Sequence, residues 1–452
     1  MWLKIVNFVG MEFSQSAYQG LVEDIFRRFP SVQKDGFQSG AYKPGLERMR
    51  AFDQALGSPS RQLKAIHVAG TNGKGSVANM LASALSACGI RTGLFTSPHL
   101  LDFRERMQVA GESIIPQEYV FRFLTRWLPW ITEHGLSFFE ITTGMAFRWF
   151  ADREVEAAVI EVGLGGRLDS TNILERPELA IVTTIGLDHM ALLGDSLAQI
   201  AAEKAGIFKP GVPALVGTSQ PETAPVFAPF HPVYADRVTP SLWDRHEALL
   251  QKMDLQARIQ SVNLRTVLAA VDLLRPTFPA LANTDALLDG LVHTARRMHF
   301  HGRWERLCER PCVIADIGHN AQALEHNFAQ LQARGGSLIV VYGIMADKDL
   351  DAILPLMPAR ATYLFTAPAT PRALPADVLL SRFRAFRAGS QASSAPTVRE
   401  AVARALELAR TLPQPLIYIG GSTFVVAEAL PLFPEGGTNV DNGPWDPKNR
   451  CL

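Results

Sequence analysis

A chain of 452 residues is too long for one hydrophobic core, so two or three domains are expected. Hydrophobic residues at 47% and charged residues at 19% exclude a disordered chain. Lys plus Arg and Asp plus Glu both total 44, so no global field favours nucleic acid or an anionic membrane.

No run of about 18 apolar residues offers a spanning helix. The opening MWLKIVNFVG is apolar but short and lacks a small-residue cleavage site, and Met11 offers an alternative start. Cys88, Cys308, Cys312 and Cys451 are too scattered for a disulfide framework. His299 and His301 followed by Cys308 and Cys312 could suggest zinc, but Cys312 opens the apolar run CVIAD and reads better as a strand residue. The expectation is a cytoplasmic monomer with small-molecule substrates and neither nucleic-acid nor membrane partners.

In chain order, residues 17–30 place Leu21, Ile25, Phe26 and Phe29 on one helical face. The glycine-rich loop KDGFQSGAYKPG follows, then a helix over 46–56. Residues 63–69 suit one buried strand, and Val77, Met80, Leu81, Ala84 and Leu85 form the apolar stripe of an amphipathic helix. Strands at 91–96, 157–162 and 180–185 alternate with helices at 138–150 and 197–208, with a further strand at 213–217. A polar, proline-rich span, 219–245, precedes a helix at 261–274. RRMHFHGRWE, 296–305, reads as a hinge.

A second alternation then begins. Strands at 312–316, 337–343, 361–365 and 416–420 alternate with helices at 321–334, 350–357 and 398–408, and GGSTFVVAEAL reads as loop and helix. The fold class is α/β: a doubly wound, mostly parallel P-loop sheet domain over 1–297 and a smaller Rossmann-like α/β domain over 298–433. Residues 434–452 lack periodicity and read as a loose tail.

Between the strand at 63–69 and the helix after it lies Gly70-Thr71-Asn72-Gly73-Lys74-Gly75-Ser76. Strand, glycine-rich loop, lysine and helix N-terminus make a phosphate cradle: backbone N–H groups and the helix dipole face the anion, and Lys74 adds a point charge. Ser76 can reach a phosphate or its metal. The loop departs from G-x-x-x-x-G-K-[ST], because only two residues separate its first glycines and Gly75 stands between Lys74 and Ser76. A glycine-rich turn that binds nothing is the bland alternative, and the full string in its strand–helix setting argues for a nucleoside triphosphate.

Ligands of parallel sheets gather at the C-terminal strand ends. Thr96, Glu161 and His189 stand at three of them, a hydroxyl, a carboxylate and an imidazole suited to Mg²⁺ beside triphosphate oxygens. Taken singly, Glu161 reads as a strand-end ion pair and His189 as a turn histidine. Lys204 falls one turn after Ile200, near its helix's apolar face, where desolvation favours the neutral amine; periodicity alone equally allows an exposed end-of-helix lysine. Asp316, directly after a strand, could bind a ribose and His319 a carboxylate, with Asn320 as helix N-cap. Arg303 lies in the hinge.

HVAGTNGKGS, TSPHLLDFRERMQV, FFEITT, EVGLGGRLDSTN, TTIGLDH, EKAGIFK, HGRWE, DIGHN and GIMADKD occur in that order. Together they resemble the folylpolyglutamate synthase/dihydrofolate synthase family of Mur-type amide ligases, from about Tyr42 to Glu428. The resemblance implies an ATP-dependent ligase that adds L-glutamate to dihydropteroate or a reduced folate through an acyl phosphate. Asn72, Gly73, Lys74, Gly75 and Ser76 would hold the triphosphate, and Asn263, Arg303 and Asp316 the rest of ATP. Thr96 (usually serine in the family), Glu161 and His189 would bind two Mg²⁺ ions. Lys204 matches a carbamylated lysine. Pro44, Gly45 and Leu46, Ser137, Phe138, Phe139 and Glu140, and Leu168, Asp169 and Ser170 match pterin-side segments. His319 and Ser422 would meet the incoming glutamate.

Two other readings compete. A muramyl peptide ligase shares the chemistry but needs a further N-terminal domain of about 100 residues, and only 69 precede Gly70. A P-loop nucleotide switch would not need the second α/β domain.

Overall fold

The computed structural model describes residues 12–36 and 43–433. The alternative start at Met11, Tyr42 and the tail from 434 lie outside the described residues. Two compact units emerge. One runs to Leu249 and resumes over Val262–Met298; the other comprises Leu250–Ser261 and the chain from His299.

Ala65–Ala69 (β1) is the centre of the first sheet, and every residue in it is buried. Around it stand Thr92–Phe95 (β2), Met107–Val109 (β3), Ser113–Ile114 (β4), Ala157–Glu161 (β5), Leu179–Val182 (β6), Ala214–Val216 (β7) and Val233–Tyr234 (β8). The order is β4-β3-β2-β5-β1-β6-β7-β8, with β2 to β3 and β3 to β4 antiparallel and the other pairs parallel. In this register Val68 faces Glu161 and Ala69 faces Val182, so three strands end together. Strand β6 stops at Val182, short of the expected 185; beyond it the Thr183 and Thr184 hydroxyls bond the phosphate loop.

The helices of this unit include Gln15–Arg28 (α1), Glu47–Ala55 (α2), Lys74–Ala87 (α3), Gln117–Glu133 (α4), Phe138–Asp152 (α5), Leu197–Ala205 (α6), Gln260–Leu274 (α7) and Thr284–Val292 (α8). Ser14 caps α1 by accepting from the Ala17 amide at 3.2 Å. Helix α3 is not the half-exposed helix that an apolar stripe implies. Gly75 through Leu85 are all buried, because α8 covers the face opposite the sheet. Gly290 makes that approach possible: a Cβ there would lie 2.8 Å from Ser83 O and from Ala87 Cβ. Helix α4 was not expected, although Val120, Phe121, Leu124, Leu128 and Ile131 are buried at helical spacing; Pro129 inside it obscures the pattern.

Phe52, Phe121, Phe147 and Phe150 pack with Phe95, Ala158 and Ile160 in one core, while Ile200, Ala201, Phe208 and Phe227 pack with Ala180, Val182 and Val216 in another.

The second unit holds Glu305–Cys308 (β9), Cys312–Asp316 (β10), Ser337–Tyr342 (β11), Thr362–Thr366 (β12), Ala392–Ala395 (β13) and Pro415–Gly420 (β14), in the order β13-β12-β11-β14-β10-β9. Only β9 pairs antiparallel. Helices Ala321–Arg334 (α9), Ala376–Phe386 (α10), Val398–Ala409 (α11) and Thr423–Ala429 (α12) complete it. The expected helix over 350–357 divides into Leu350–Ile353 and a 3₁₀ turn at Leu354–Leu356, where Pro355 interrupts it. The sequence places 250–261 with the first domain, but Ala257 joins the second core and Arg258 N donates to Gln330 Oε1 at 2.8 Å. The hinge segment contains the start of β9. Cys308 and Cys312 lie on β9 and β10, and no three His, Cys, Asp or Glu side chains gather as a metal cluster among the described residues.

Gly144 in α5 sits under Phe52 of α2, where any Cβ would overlap the ring. Gly144→Ala should therefore lower stability by about 1–3 kcal/mol. Denaturant unfolding checks this, with an unchanged slope and a lower midpoint expected.

Candidate active site

The loop after β1 is bolted to the end of β6. Thr71 N donates to Thr184 O at 2.7 Å and Thr71 Oγ1 to Gly186 O at 3.0 Å. Thr183 Oγ1 and Thr184 Oγ1 both donate to Asn72 O, at 2.6 and 3.1 Å. Gly70 has φ 150°, and a Cβ there would overlap Thr183 Oγ1, so only glycine fits. Gly73 is the N-cap of α3, in the left-handed region at φ 86°, with Asn263 Oδ1 against its Cα.

These ties engage the Asn72 carbonyl, while the amides of the first turn of α3 have no partners within their helix. Asn79 Nδ2 donates to Gly75 O at 2.8 Å, and Ser76 is buried beside it. Lys74 Nζ arches over the loop, 3.0 Å from Gly70 O and 3.2 Å from Thr71 O. The result is an anion cradle with a cation at its lip.

At the neighbouring strand ends, Glu161 closes β5 and is buried, its Oε2 accepting from Ser97 N at 3.0 Å. Thr96 follows β2, whose Phe95 is level with Ile160. His189 is held at φ 53°, unusual for a side-chain-bearing residue, next to Asp188. One carboxylate, one hydroxyl and one imidazole form an oxygen-rich donor set that fits a hard divalent cation which also takes phosphate and water ligands.

A cavity of about 30 Å³ is lined by Gly70, Thr71, Lys74, the loop from Val162 to Gly165, Asp188, His189, Leu193 and Lys204. Three expected site residues, Lys74, His189 and Lys204, thus share one wall. The reading of Lys204 as an exposed end-of-helix lysine does not survive: it is 4% exposed. The last turn of α6 lies under the glycine-rich loop, where a Cβ on Gly166 would be 3.0 Å from Lys204 Cα. Burial, and then the charge of Lys74, lower the Lys204 ammonium to about 7; Asp188, Asp169 and Glu203 oppose the shift.

Of the segments expected to face a pterin, those at 44–46 and 137–140 are linked through Arg48. Arg48 Nη2 donates to Lys43 O beside Pro44, and Arg48 Nε lies 3.2 Å from Glu140 Oε1. Gly45 has φ 113° and Leu46 is the N-cap residue of α2. Ser137 and Glu140 form a capping box on α5, so their side chains are already engaged. Phe138 is buried, 5.0 Å from the Phe26 ring. Phe139 lies across Gly163, where a Cβ would overlap its ring. Leu168 is 36% exposed, Asp169 is buried, and Ser170 opens the 3₁₀ turn Ser170–Ile173.

In the second unit, Asp316 accepts from Trp304 N at 2.9 Å, Gly318 N at 2.8 Å and Asn327 Nδ2 at 2.6 Å. Burial raises its carboxyl and the Arg303 guanidinium pulls it back. Arg303 rests over the Phe300 ring at 4.9 Å. His319 Nδ1 lies 3.0 Å from Ile317 O, Asn320 caps α9 through Ala323 N, and Ser422 caps α12 through Val425 N.

Sequence reasoning missed Thr183, Thr184 and Asp188, although hydroxyls directly after a strand at a phosphate-binding edge were a usable signal. It also missed Arg106, which is buried and donates to His99 Nδ1 at 2.9 Å and to Gln33 Oε1 at 2.7 Å. Burial lowers the Arg106 guanidinium to about 10, against the pull of Glu161 and Glu105.

Residues 68–216 match the Mur ligase middle domain, and residues 302–423 the Mur ligase glutamate ligase domain. A dihydrofolate synthase/folylpolyglutamate synthase of Bacillus subtilis is 34% identical over 335 residues, 68% of this chain and 76% of that protein. The chain belongs to the folylpolyglutamate synthase/dihydrofolate synthase family. Mycobacterium tuberculosis folylpolyglutamate synthase complexed with ADP superposes with a TM-score of 0.78 at 26% identity, covering 94% of this chain and 99% of that one. A bifunctional folylpolyglutamate synthase/dihydrofolate synthase with Mn, AMPPNP and L-glutamate bound gives 0.72 at 26% identity, covering 86% and 94%. The chain is accordingly an ATP-dependent ligase of that family.

Lys74 Nζ donates to two loop carbonyls, those of Gly70 and Thr71. Lys74→Ala should cut ATP turnover by about two to three orders of magnitude and shift stability by no more than about 0.5 kcal/mol. Steady-state ADP release beside thermal unfolding reads both.

Proposed function

We propose that this chain joins the amine of L-glutamate to the carboxylate of dihydropteroate, of a reduced folate, or of both, with ATP as the source of activation. The observation that carries this reading is the cavity in which Lys74, His189 and Lys204 meet beside the phosphate loop. A carboxylate is a poor acyl donor because oxide is a poor leaving group. Transfer of the terminal phosphoryl group of ATP to the acceptor carboxylate makes an acyl phosphate. The glutamate amine then attacks its carbonyl carbon, phosphate leaves and the amine proton is lost.

The amides of residues 72–76 and Lys74 would hold the triphosphate and neutralise the moving phosphoryl group. Asn263 abuts Gly73 and would contact the nucleotide from there; for Arg303 and Asp316 of the second unit a nucleotide role is proposed on the family resemblance alone. Thr96, Glu161 and His189 fit Mg²⁺, which supplies charge neutralisation of phosphate oxygens when bound. His319, whose Nδ1 lies 3.0 Å from Ile317 O, would meet the incoming glutamate. Ser422 Oγ accepts from Val425 N, which leaves its hydroxyl hydrogen for a glutamate carboxylate. A cytoplasmic setting suits the unbridged cysteines Cys88 and Cys312; no helix among the described residues is long and apolar enough to cross a membrane.

Lys204 is proposed to carry a carbamate. Its neutral amine attacks CO₂, an N–C bond forms and a proton is lost, leaving an anion on a long stem where an ammonium would oppose the cation. Lys204→Ala should be nearly inactive and partly restored by a short carboxylic acid in solution. Lys204→Arg should stay inactive, and full activity there would overturn the carbamate.

The function itself is tested by ADP release with dihydropteroate or tetrahydrofolate as acceptor. Release that needs both L-glutamate and one of these acceptors is expected. ADP release that is indifferent to both would instead favour a nucleotide switch.

A further inference from the structure

Beneath the glycine-rich loop after β5, three side chains form a hydrogen-bonded line that the reaction described above does not use. His67, fully buried in the middle of β1, has Nε2 2.8 Å from Thr171 Oγ1. The Thr171 hydroxyl donates to Asp169 Oδ1 at 2.6 Å, and the Thr171 amide reaches the same oxygen at 3.0 Å. The other carboxylate oxygen, Oδ2, accepts from the Leu164 amide at 2.9 Å.

A hydroxyl has one proton to give. Thr171 spends it on Asp169, so His67 must donate from Nε2, and its tautomer is fixed. Its other nitrogen, Nδ1, has no partner among the described residues. The imidazole is thus held by Thr171 alone, in surroundings where burial keeps it neutral.

The line ends on the backbone of the loop that lines the cavity of Lys74 and Lys204. The same loop is fastened to the helix bearing Lys204. Arg167 N donates to Glu203 O at 2.8 Å, and Asn172 Nδ2 donates to Arg167 O at 2.9 Å and to Gly206 O at 3.1 Å. A methyl in place of the Thr171 hydroxyl would fill the same volume, but only a hydroxyl can both accept from His67 and aim Asp169 at Leu164. The requirement is directional, not volumetric.

We propose that Thr171, backed by His67, is a positioning residue of this ligase: through Asp169 it fixes the loop at Gly163–Gly165 that forms the wall of the reaction cavity. The proposal rests on the ligase reading above. It sets the central strand as the reference for the acceptor side of the site, independently of the phosphate loop, whose own anchors are Thr183 and Thr184.

The test compares Thr171→Val, which keeps shape and loses the hydroxyl, with Thr171→Ser, which keeps the hydroxyl. In the full chain, Thr171→Val should lower kcat about tenfold or more and raise KM for the pterin acceptor. KM for ATP should stay within about twofold. Amides of residues 163–165 should exchange with solvent deuterium faster in Thr171→Val alone, a readout that needs no turnover. Thr171→Ser should restore every value. The proposal is overturned by wild-type kcat, acceptor KM and exchange in Thr171→Val, by losses that Thr171→Ser shares, or by the two KM values rising together. If Thr171→Val does not fold, His67→Met against His67→Gln, which keeps a donor near Nε2, makes the same comparison from the other end. Failure of the ligase reading looks different: the wild-type chain then releases no ADP with either acceptor, while exchange still separates Val from Ser.

Discussion

Lys74 and Lys204 line the same small cavity, and two ammonium groups in that poorly solvated space repel each other. Much of the first unit can be read as the arrangement that tolerates this. Lys74 keeps its charge engaged by resting on two loop carbonyls. Lys204 is displaced toward its neutral form, with Asp188, Asp169 and Glu203 limiting the shift. Gly166 lets the loop pass close over the last turn of α6, where Lys204 is buried. A group so placed has an altered proton affinity without any bound cofactor, and its chemistry follows from where the backbone puts it.

The placement itself comes from strand register. Because β2, β5, β1 and β6 run parallel and end nearly level, Thr96, Glu161, the phosphate loop and the Thr183-Thr184 pair arrive at one edge. Burial then sorts their roles. Glu161 and Ser76 are enclosed, while Thr96 and His189 remain partly open. In the second unit, Asp316 ends β10 in the same manner and accepts hydrogen bonds from Trp304 N, Gly318 N and Asn327 Nδ2.

Parallel strands and their glycine-rich exits were legible because they are apolar runs with punctuation, and the phosphate loop because its residues occur in one contiguous string. Other features depend on pairings between distant segments. The hydroxyls of Thr183 and Thr184 acquire meaning only from Asn72, which is about 110 residues earlier in the chain. Lys204 sits where periodicity is ambiguous, and a loop nearly 40 residues upstream decides its burial. Residues 392–395, Ala-Ser-Ser-Ala, form β13 with almost no strand propensity, since pairing with β12 supplies what composition does not. Leu250–Ser261 changes unit for a similar reason: Ala257, the partly buried Ile259 and bonds to Gln330 outweigh chain continuity.

The contact between Gly70 and Thr183 has a consequence for how such a sequence can drift over generations. A side chain at position 70 needs the space that the Thr183 hydroxyl fills, and that hydroxyl also holds Asn72. Shrinking residue 183 to make room would remove the shorter of the two hydroxyl tethers on Asn72, and enlarging residue 70 first would push the strand end away. Neither step is neutral alone. The two sites form a ratchet of mutual exclusion, across which single-residue change is blocked in both directions.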